Sequence, residues 1–207
     1  MKAKVPLLKQ ARMPRIACQI LFALSVGLLM VPSQSVAGTS EPVRTFEGHT
    51  SGVYSVAFSP DGQYVLSDFG SGLKLWEVAT GIGIRTFSRH DEGVYAVTFI
   101  KPDGTYILSG SADRTLKLWE TATGQEIRTF EGHTGDITSV VCSPDGRYVL
   151  SGSGDGTMKL WETATGQEIR TFAVDLDEGE DPLWVYSVAL SVDGQYALAG
   201  YSDRTLK

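Results

Sequence analysis

The sequence predicts an all-β protein built from four tandem copies of one short antiparallel unit, preceded by a segment of different composition. Two recurring features lead to this prediction. The triplet Arg-Thr-Phe begins, at steps of 41, 43 and 42 residues, at Arg44, Arg85, Arg128 and Arg170. Tryptophans recur at steps of 43 and 42 residues, at Trp76, Trp119 and Trp161. A fixed period of this size indicates an array of similar supersecondary units.

Residues 1–37 have the composition of an export signal. They contain five basic residues, no acidic residue, and a mostly apolar run of sixteen residues at 16–31. Ser35 and Ala37 place small side chains at the two positions that a signal peptidase reads. Sixteen residues are fewer than the roughly 20 that a membrane-spanning helix needs. We therefore expect cleavage between Ala37 and Gly38, export to the periplasm or the outside, and no stable membrane span afterwards.

The charge and length of the remaining chain exclude some functions. All 24 acidic residues but only 13 of the 18 basic residues follow position 37. Nucleic acid is therefore not an expected partner, because its phosphates require a basic surface. The remaining 170 residues can bury a core without metals or disulfides, and no cofactor is expected. Cys142, the one cysteine of this part, aligns with Phe58 and Phe99, which predicts a small buried core residue.

Each unit is predicted to contain four short strands. In the third unit, apolar and β-branched residues at 137–142 are followed by the tight-turn sequence Ser-Pro-Asp-Gly. Further strands are predicted at 148–151, 157–161 and 168–172, with an Ala-Thr-Gly turn before the last of them. Short strands joined by Asp-Gly and Thr-Gly turns are typical of antiparallel hairpins.

The third unit contains Glu131-Gly132-His133, Ser143-Pro144-Asp145-Gly146 and Lys159-Leu160-Trp161-Glu162, and it resembles the WD40 repeat with Glu in place of the final Asp. The resemblance covers residues 43–207, with repeats at about 44–84, 85–127, 128–169 and 170–207, the last incomplete. It implies four-stranded antiparallel blades of a β-propeller, here a partial and open propeller.

The resemblance also implies a buried hydrogen-bonded chain of Asp, His, Ser or Thr, and Trp within a blade. The members expected in the second unit are His90, Ser109 or Ser111, Asp113 and Trp119. The members expected in the third unit are His133, Ser151 or Ser153, Asp155 and Trp161. In the first unit Gly70 occupies the Asp position, so we expect His49 to lack that partner. The fourth unit departs further, with Ala199 and Tyr201 at the serine positions and no histidine.

These polar residues predict neither a metal site nor a catalytic site. The three histidines lie at the same position of successive repeats, which places them around the array instead of around one ion. Ser, His and Asp recur together in the same way, whereas a catalytic nucleophile is unique within an active site. We therefore expect a structural role for both sets and no enzymatic activity.

The fourth unit carries extra residues that allow two interpretations. The stretch between Phe172 and Val185 contains the acidic residues Asp175, Asp177, Glu178, Glu180 and Asp181. Closely spaced carboxylates at 175–181 could hold Ca²⁺, which would make the protein a calcium-dependent binding or adhesion module. A solvated acidic loop is the alternative, because the spacing matches no complete calcium loop. Trp184 follows this stretch, lies outside the repeat pattern, and is a candidate anchor for a partner.

A second candidate surface is the second residue of each first strand, occupied by Tyr54, Tyr95, Thr138 and Tyr186. The resemblance implies that this position lies near the mouth of the central channel, where partner peptides dock. Tyrosine there would offer apolar area and a hydroxyl at a small entropic cost. The same rings could instead pack between neighbouring blades, since tyrosine favours strands.

Three functions follow as hypotheses from these features. The leading one is an exported, non-catalytic scaffold that binds other proteins or peptides. The alternatives are a repeat fragment of a larger multidomain signalling protein or enzyme, and the calcium-dependent module. The last repeat stops at Lys207, at the entry to its third strand, so we also expect unpaired blade edges that allow self-association.

Overall fold

The computed structural model describes residues 44–173 and 183–207, and every regular element in these two ranges is a β-strand. Residues 1–43, which include the predicted signal, lie outside the described part. The described strands form four sheets in chain order, which we call blades 1 to 4. The prediction of an all-β fold of antiparallel blades is confirmed.

Each of the first three blades is a four-stranded antiparallel meander. Blade 1 contains β1 (Val56–Phe58), β2 (Tyr64–Phe69), β3 (Gly72–Glu77) and β4 (Gly83–Ser88). Blade 2 contains β5 (Val94–Phe99), β6 (Tyr106–Ser111), β7 (Leu116–Glu120) and β8 (Glu126–Phe130). Blade 3 contains β9 (Ile137–Cys142), β10 (Tyr148–Ser153), β11 (Thr157–Glu162) and β12 (Glu168–Ala173).

Blade 4 has two strands, β13 (Val185–Leu190) and β14 (Ala197–Tyr201). A single antiparallel bridge between Gly200 and Leu206 adds the beginning of a third strand. Lys207 both donates to and accepts from the backbone of Ala199. The position of this bridge matches the start of the third strand in the complete blades, where Gly110 pairs with Leu116.

The first hairpin of blades 1, 3 and 4 is closed by the side chain of an aspartate. In blade 1, Asp61 accepts hydrogen bonds from the Ser59 hydroxyl and from the backbone N–H of Gln63. Gly62 follows with a φ of 71°, a left-handed conformation that glycine adopts without steric cost. Asp145 and Asp193 repeat these contacts. The recurring Ser-x-Asp-Gly sequence therefore fixes the register of these hairpins.

The hydrophobic core lies between neighbouring blades. Leu66 and Leu73 of blade 1 are fully buried against Val97 and Phe99 of β5, the first strand of blade 2. Blades 2 and 3 meet through the equivalent residues, with Leu108 and Leu116 packed against Ile137 and Cys142. Since each blade covers an apolar face of the next, a single blade has no complete core of its own.

The Arg-Thr-Phe triplet connects consecutive blades. Its phenylalanine lies on the fourth strand of one blade and packs edge-on against the tryptophan of the next, with ring centroids 5.9 Å apart for Phe87–Trp119 and for Phe130–Trp161. The arginine reaches the same neighbouring blade, because Arg85 Nη1 donates to the Thr123 carbonyl at 2.7 Å. Arg128 makes the equivalent bond to Ala164 at 2.7 Å. The arginine and phenylalanine of the triplet therefore form contacts between consecutive blades.

Candidate functional site

The predicted polar chain of blade 2 is a continuous set of short hydrogen bonds. Trp119 Nε1 donates to Ser109 Oγ at 2.9 Å, and Ser109 Oγ lies 2.7 Å from His90 Nε2. On the other side of the ring, His90 Nδ1 lies 2.7 Å from Asp113 Oδ2. Because the ionised Asp113 can only accept, His90 Nδ1–H donates to it, and Nε2 of the neutral ring is left to accept the proton of the Ser109 hydroxyl.

Blade 3 repeats this geometry with its own four residues. Ser151 Oγ accepts from Trp161 Nε1 at 2.9 Å and lies 2.7 Å from His133 Nε2, while His133 Nδ1 lies 2.8 Å from Asp155 Oδ2. Asp155 Oδ1 binds the backbone N–H of Thr157 at 2.9 Å and its hydroxyl at 2.7 Å. These bonds connect the second and third strands to the loop before the first strand, which makes each blade one hydrogen-bonded unit.

The structure also distinguishes the two serines that the sequence left open in each blade. Ser109 and Ser151 are the members that bind Trp and His. Ser111 and Ser153 instead donate to the backbone carbonyls of Gly93 and Gly135, each at 2.9 Å, and accept from the backbone N–H of the network aspartate. All four side chains are fully buried.

Burial and hydrogen bonding shift the pKa values in these networks. Burial lowers the pKa of His90, and its bond to Asp113 offsets only part of that effect, so the imidazole is neutral at neutral pH. Burial alone would raise the pKa of Asp113 and Asp155, but hydrogen bonds from threonine and histidine outweigh it and lower both. Both carboxylates are therefore ionised and act as fixed acceptors. Since Ser109 and Ser151 have no exposed surface, neither hydroxyl can reach a substrate in this conformation.

Blade 1 lacks the aspartate link, as Gly70 predicts. Trp76 Nε1 donates to Ser67 Oγ at 2.7 Å, and Ser67 Oγ lies 2.9 Å from His49 Nε2. His49 Nδ1 is buried and has no hydrogen-bond partner among the described residues. Burial lowers the pKa of His49, and the charge of Lys74 lowers it further.

Blade 1 contains instead a buried carboxylate that sequence reasoning missed. Asp68 occupies the position of Gly110 and Gly152 and is fully buried. Its Oδ1 accepts from the backbone N–H groups of Tyr54 and Ser55, at 2.8 and 2.6 Å. Its Oδ2 has no hydrogen-bond partner within the described part of the chain. Burial raises the pKa of Asp68, and the two backbone bonds oppose the increase.

The signal that could have revealed Asp68 is the contrast between repeats. The serine that binds tryptophan is followed by Gly in blades 2 and 3, at Gly110 and Gly152, but by Asp68 in blade 1. A charged residue at a position that is otherwise glycine indicates either exposure or a special partner. Here the partner is the backbone at the start of the first strand.

The proposed partner-binding residues lie at or just before the first-strand positions of the four blades. The rings of Tyr54 and Tyr95, on neighbouring blades, meet edge to face with centroids 5.8 Å apart, and Tyr54 is 61% exposed. Thr138 takes part in the packing between blades, since its hydroxyl lies within hydrogen-bond distance of the carbonyls of Gly152 in blade 3 and Val185 in blade 4 and is closer to Val185. Tyr186 is half exposed.

Trp184 lies at the same end of blade 4. Its indole packs over Gly154, where an added Cβ would lie 3.4 Å from Trp184 Cδ2. Its backbone N–H donates to the Ser202 hydroxyl at 3.0 Å, and its side chain is 47% exposed. The other three tryptophans are buried in the networks and against phenylalanine. Trp184 is therefore the tryptophan with surface available for binding.

The acidic residues considered for Ca²⁺, at 175–181, lie outside the described residues. Within 44–173 and 183–207, no three His, Cys, Asp or Glu side chains come together in a way that could hold a metal ion. In the same ranges, no helix has the length and apolarity needed to cross a membrane. Cys142 is buried, donates to the Phe99 carbonyl at 3.3 Å, and has a pKa that burial raises. It is the core residue that the sequence predicts and not a reactive thiolate.

Four-stranded meanders whose Trp, Ser, His and Asp side chains form one hydrogen-bonded chain define blades of a propeller. The family model described as WD domain, G-beta repeat matches this chain four times, at residues 40–77, 81–120, 124–162 and 167–207. The chain therefore belongs to the WD40-repeat family. No curated protein matches it in sequence. WD40 repeats generally mediate protein–protein interaction.

The contribution of the His–Asp link can be measured by comparing two blades. We expect Asp155→Ala to lower the free energy of unfolding by about 2–3 kcal/mol, because His133 and Thr157 both lose a charged acceptor. Asp203→Ala is the matched control, since Asp203 binds Thr205 in the same way but its repeat has no histidine. The control should lose less than about 1 kcal/mol. Urea unfolding measures both, and equal losses would contradict a role for histidine.

The buried carboxylate of blade 1 should make stability depend on pH. The folded-state pKa of Asp68 is raised above 3.8, so ionised Asp68 opposes folding and its unfavourable effect appears as the pH rises through the folded-state pKa. Asp68→Asn keeps an acceptor for Tyr54 and Ser55 and removes the charge. The melting temperature of Asp68→Asn relative to the unmodified protein should therefore increase as the pH rises from about 4 to 7.

Asp61→Asn provides a control of opposite sign for the Asp68 experiment. Hydrogen bonds from Ser59 and Gln63 lower the pKa of Asp61, so its ionised form favours folding. Because the folded-state pKa of Asp61 lies below 3.8, the melting temperature of Asp61→Asn relative to the unmodified protein should fall as the pH rises from about 2 to 4 and change little above that range. If both variants changed in the same direction with pH, the assignment of a destabilising charge to Asp68 would be wrong.

Proposed function

We propose that this chain is an exported, non-catalytic scaffold that binds a protein or peptide at the end of the blades where the first strands begin. The binding residues are Tyr54, Tyr95, Tyr186 and Trp184, with Thr138 holding blades 3 and 4 together beside them. The observation that carries the proposal is the edge-to-face pair of Tyr54 and Tyr95, in which Tyr54 is 61% exposed and Tyr95 is partly buried. Aromatic residues at interfaces contribute large contact areas with few rotatable bonds.

The composition of this surface favours a peptide with apolar or aromatic side chains. Tyr54, Tyr186 and Trp184 each combine an exposed apolar ring with a polar group that can form a hydrogen bond. The Ser, His and Asp side chains of blades 2 and 3 are hydrogen-bonded to each other within the networks. A scaffold role fits this division, because the buried polar groups maintain the blades while the exposed rings remain available.

Trp184 allows binding to be measured directly. A ligand that covers this side chain should change the tryptophan emission, since the other three tryptophans are already buried. We expect a protein recovered with the scaffold from the exported fraction to produce this change. Tyr95→Ala should weaken binding roughly tenfold or more, the effect of removing an aromatic hot spot. Tyr106→Ala is the control, because Tyr106 is exposed but lies at the opposite end of its blade.

Two results would contradict the binding surface. Binding that survives both Tyr95→Ala and Trp184→Ala would place the partner elsewhere on the molecule. Binding that Tyr106→Ala weakens equally would place it at the other end of the blades.

Export is supported by the composition of residues 1–37, and it has a test of its own. The mass of the protein recovered from the exported fraction should correspond to a chain that begins at Gly38. Replacing two apolar residues in the run at 16–31 by lysine should retain the uncleaved chain inside the cell, because the apolar core of the signal is interrupted. An exported protein that still begins at Met1 would contradict cleavage at this site.

A further inference from the structure

Within residues 44–173 and 183–207, blades 1 and 4 each leave uncovered a face that neighbouring blades cover elsewhere in the chain. Val56 and Phe58 of β1 occupy the register positions of Val97 and Phe99 of β5. Val97 and Phe99 are buried against blade 1, whereas Val56 and Phe58 are 59% and 68% exposed. We call the surface formed by Val53, Val56 and Phe58 the leading face of blade 1.

The complementary face is uncovered on blade 4. Leu198 and Leu206 occupy the register positions of Leu66 and Leu73 in blade 1. Leu66 and Leu73 are completely buried by the first strand of blade 2, but Leu198 and Leu206 are 42% and 71% exposed. We call the surface formed by Leu198, Gly200 and Leu206 the trailing face of blade 4.

A glycine shows how closely such faces approach when they meet. An added Cβ at Gly110 of blade 2 would lie 2.5 Å from Ile137 Cγ2 of blade 3, and one at Gly152 would lie 2.6 Å from Val185 Cγ1 of blade 4. Both distances are shorter than any real contact, so the next blade fills the space at these glycines. Gly200 is the equivalent residue of blade 4, and an added Cβ there would meet only Leu206 Cδ2, at 3.6 Å. The trailing face therefore has the same glycine with nothing from another blade packed on it.

A hydrogen bond across the interface repeats as well. The N–H of Val97 donates to Ser55 Oγ of blade 1, and the N–H of Val188 donates to Ser139 Oγ of blade 3, each at 3.1 Å. Ser187 occupies this serine position in blade 4. Val56 is the residue of the leading face that corresponds to Val97 and Val188. The two uncovered faces therefore carry apolar residues, a glycine and a serine at the same register positions as the residues that form the inner interfaces.

We propose that the leading face of one copy of this chain packs on the trailing face of a second copy, in the geometry of the inner blade interfaces. The occupant is a second copy because both faces are exposed in the same chain, which shows that its own blades 1 and 4 do not cover each other. The contact joins two different faces, so it is heterologous. This proposal is independent of the scaffold surface, whose residues lie at the end of the blades.

Two copies can form this contact twice, which produces a closed ring. Each copy would then place its leading face on the other's trailing face, and both contacts would be equivalent by two-fold symmetry. Two copies supply six four-stranded and two two-stranded blades, a total at the upper end of the range of about four to eight found in propellers. We therefore expect a closed dimer and no assembly larger than a dimer.

Gly200→Ala tests the contact with the addition of one methyl group. The added Cβ has space within the chain itself, so the folded monomer should be unaffected. In the dimer it would overlap Val53 and Val56 of the second copy, because the equivalent Cβ at Gly110 overlaps Ile137. We expect the dissociation constant of the dimer, measured by sedimentation equilibrium on the full chain, to increase about tenfold or more. Gly93→Ala is the control, since an added Cβ there meets only Tyr95, at 3.6 Å.

A pair of charged variants tests whether the contact joins two different faces. Phe58→Asp alters the leading face and Leu198→Lys alters the trailing face, both at exposed residues. Circular dichroism should show that both variants are folded. Each variant alone should be monomeric, because both contacts of its dimer contain the altered residue. A mixture of the two should form a heterodimer. One of its contacts is then entirely unmodified, and the other brings the introduced carboxylate and the introduced ammonium, which attract each other, to the same interface.

The remaining outcomes each contradict the proposal. A full chain that is monomeric at all measured concentrations would leave these faces to another protein or to further repeats. Dimers that resist Leu198→Lys but not Phe58→Asp would join two leading faces to each other. Association that neither Gly200→Ala nor the charged variants weaken would originate outside the blades, and an unlimited polymer would exclude closure.

Discussion

The fold depends on the burial of each blade's apolar face by the first strand of the next blade. Leu66 and Leu73 are completely buried in a cluster to which β5 contributes Val97 and Phe99. Gly110 and Gly152 permit this close approach, and the Arg-Thr-Phe triplets join the outer edges of the same blades. Stability in such an array comes from the contacts between units as much as from the units themselves. The first and last units are consequently the ones with an incomplete set of contacts.

Within each of blades 2 and 3, one buried serine hydroxyl organises the polar groups. Ser109 and Ser151 accept from an indole and donate to an imidazole, which leaves the histidine's other nitrogen to hold an ionised aspartate. Because the indole, hydroxyl and imidazole groups of these two networks all have partners, the networks can be buried without an energetic penalty for unsatisfied groups. These serine, histidine and aspartate residues are the types found in a catalytic triad. Their side chains are largely buried and already hydrogen-bonded, so they are not accessible to a substrate.

The sequence was sufficient to predict features that depend on one repeat. The four strands of each complete blade, the Asp-Gly hairpins, the buried Cys142 and the missing partner of His49 all follow from local motifs or from comparing aligned positions. Features that depend on the distance between blades were not predictable in this way. The roles of Phe87 and Arg85, the bond from Thr138 to the Val185 carbonyl, and the backbone contacts of Asp68 require the position of a neighbouring strand. A repeat motif does not specify the distance between neighbouring blades.

The packing between blades and the hydrogen-bonded networks within blades are related to each other along the chain. Blades 2 and 3 have a neighbour on both sides, and their His90 and His133 are buried with both ring nitrogens bonded. Blade 1 has a neighbour on one side, its His49 is only partly buried, and its repeat lacks the aspartate link. The Nδ1 atom of His49 is nevertheless buried and has no partner among the described residues, so blade 1 retains the desolvation cost of an unpaired group. The networks are therefore complete in the two blades that have a neighbour on both sides, and the network of blade 1 keeps one unsatisfied nitrogen.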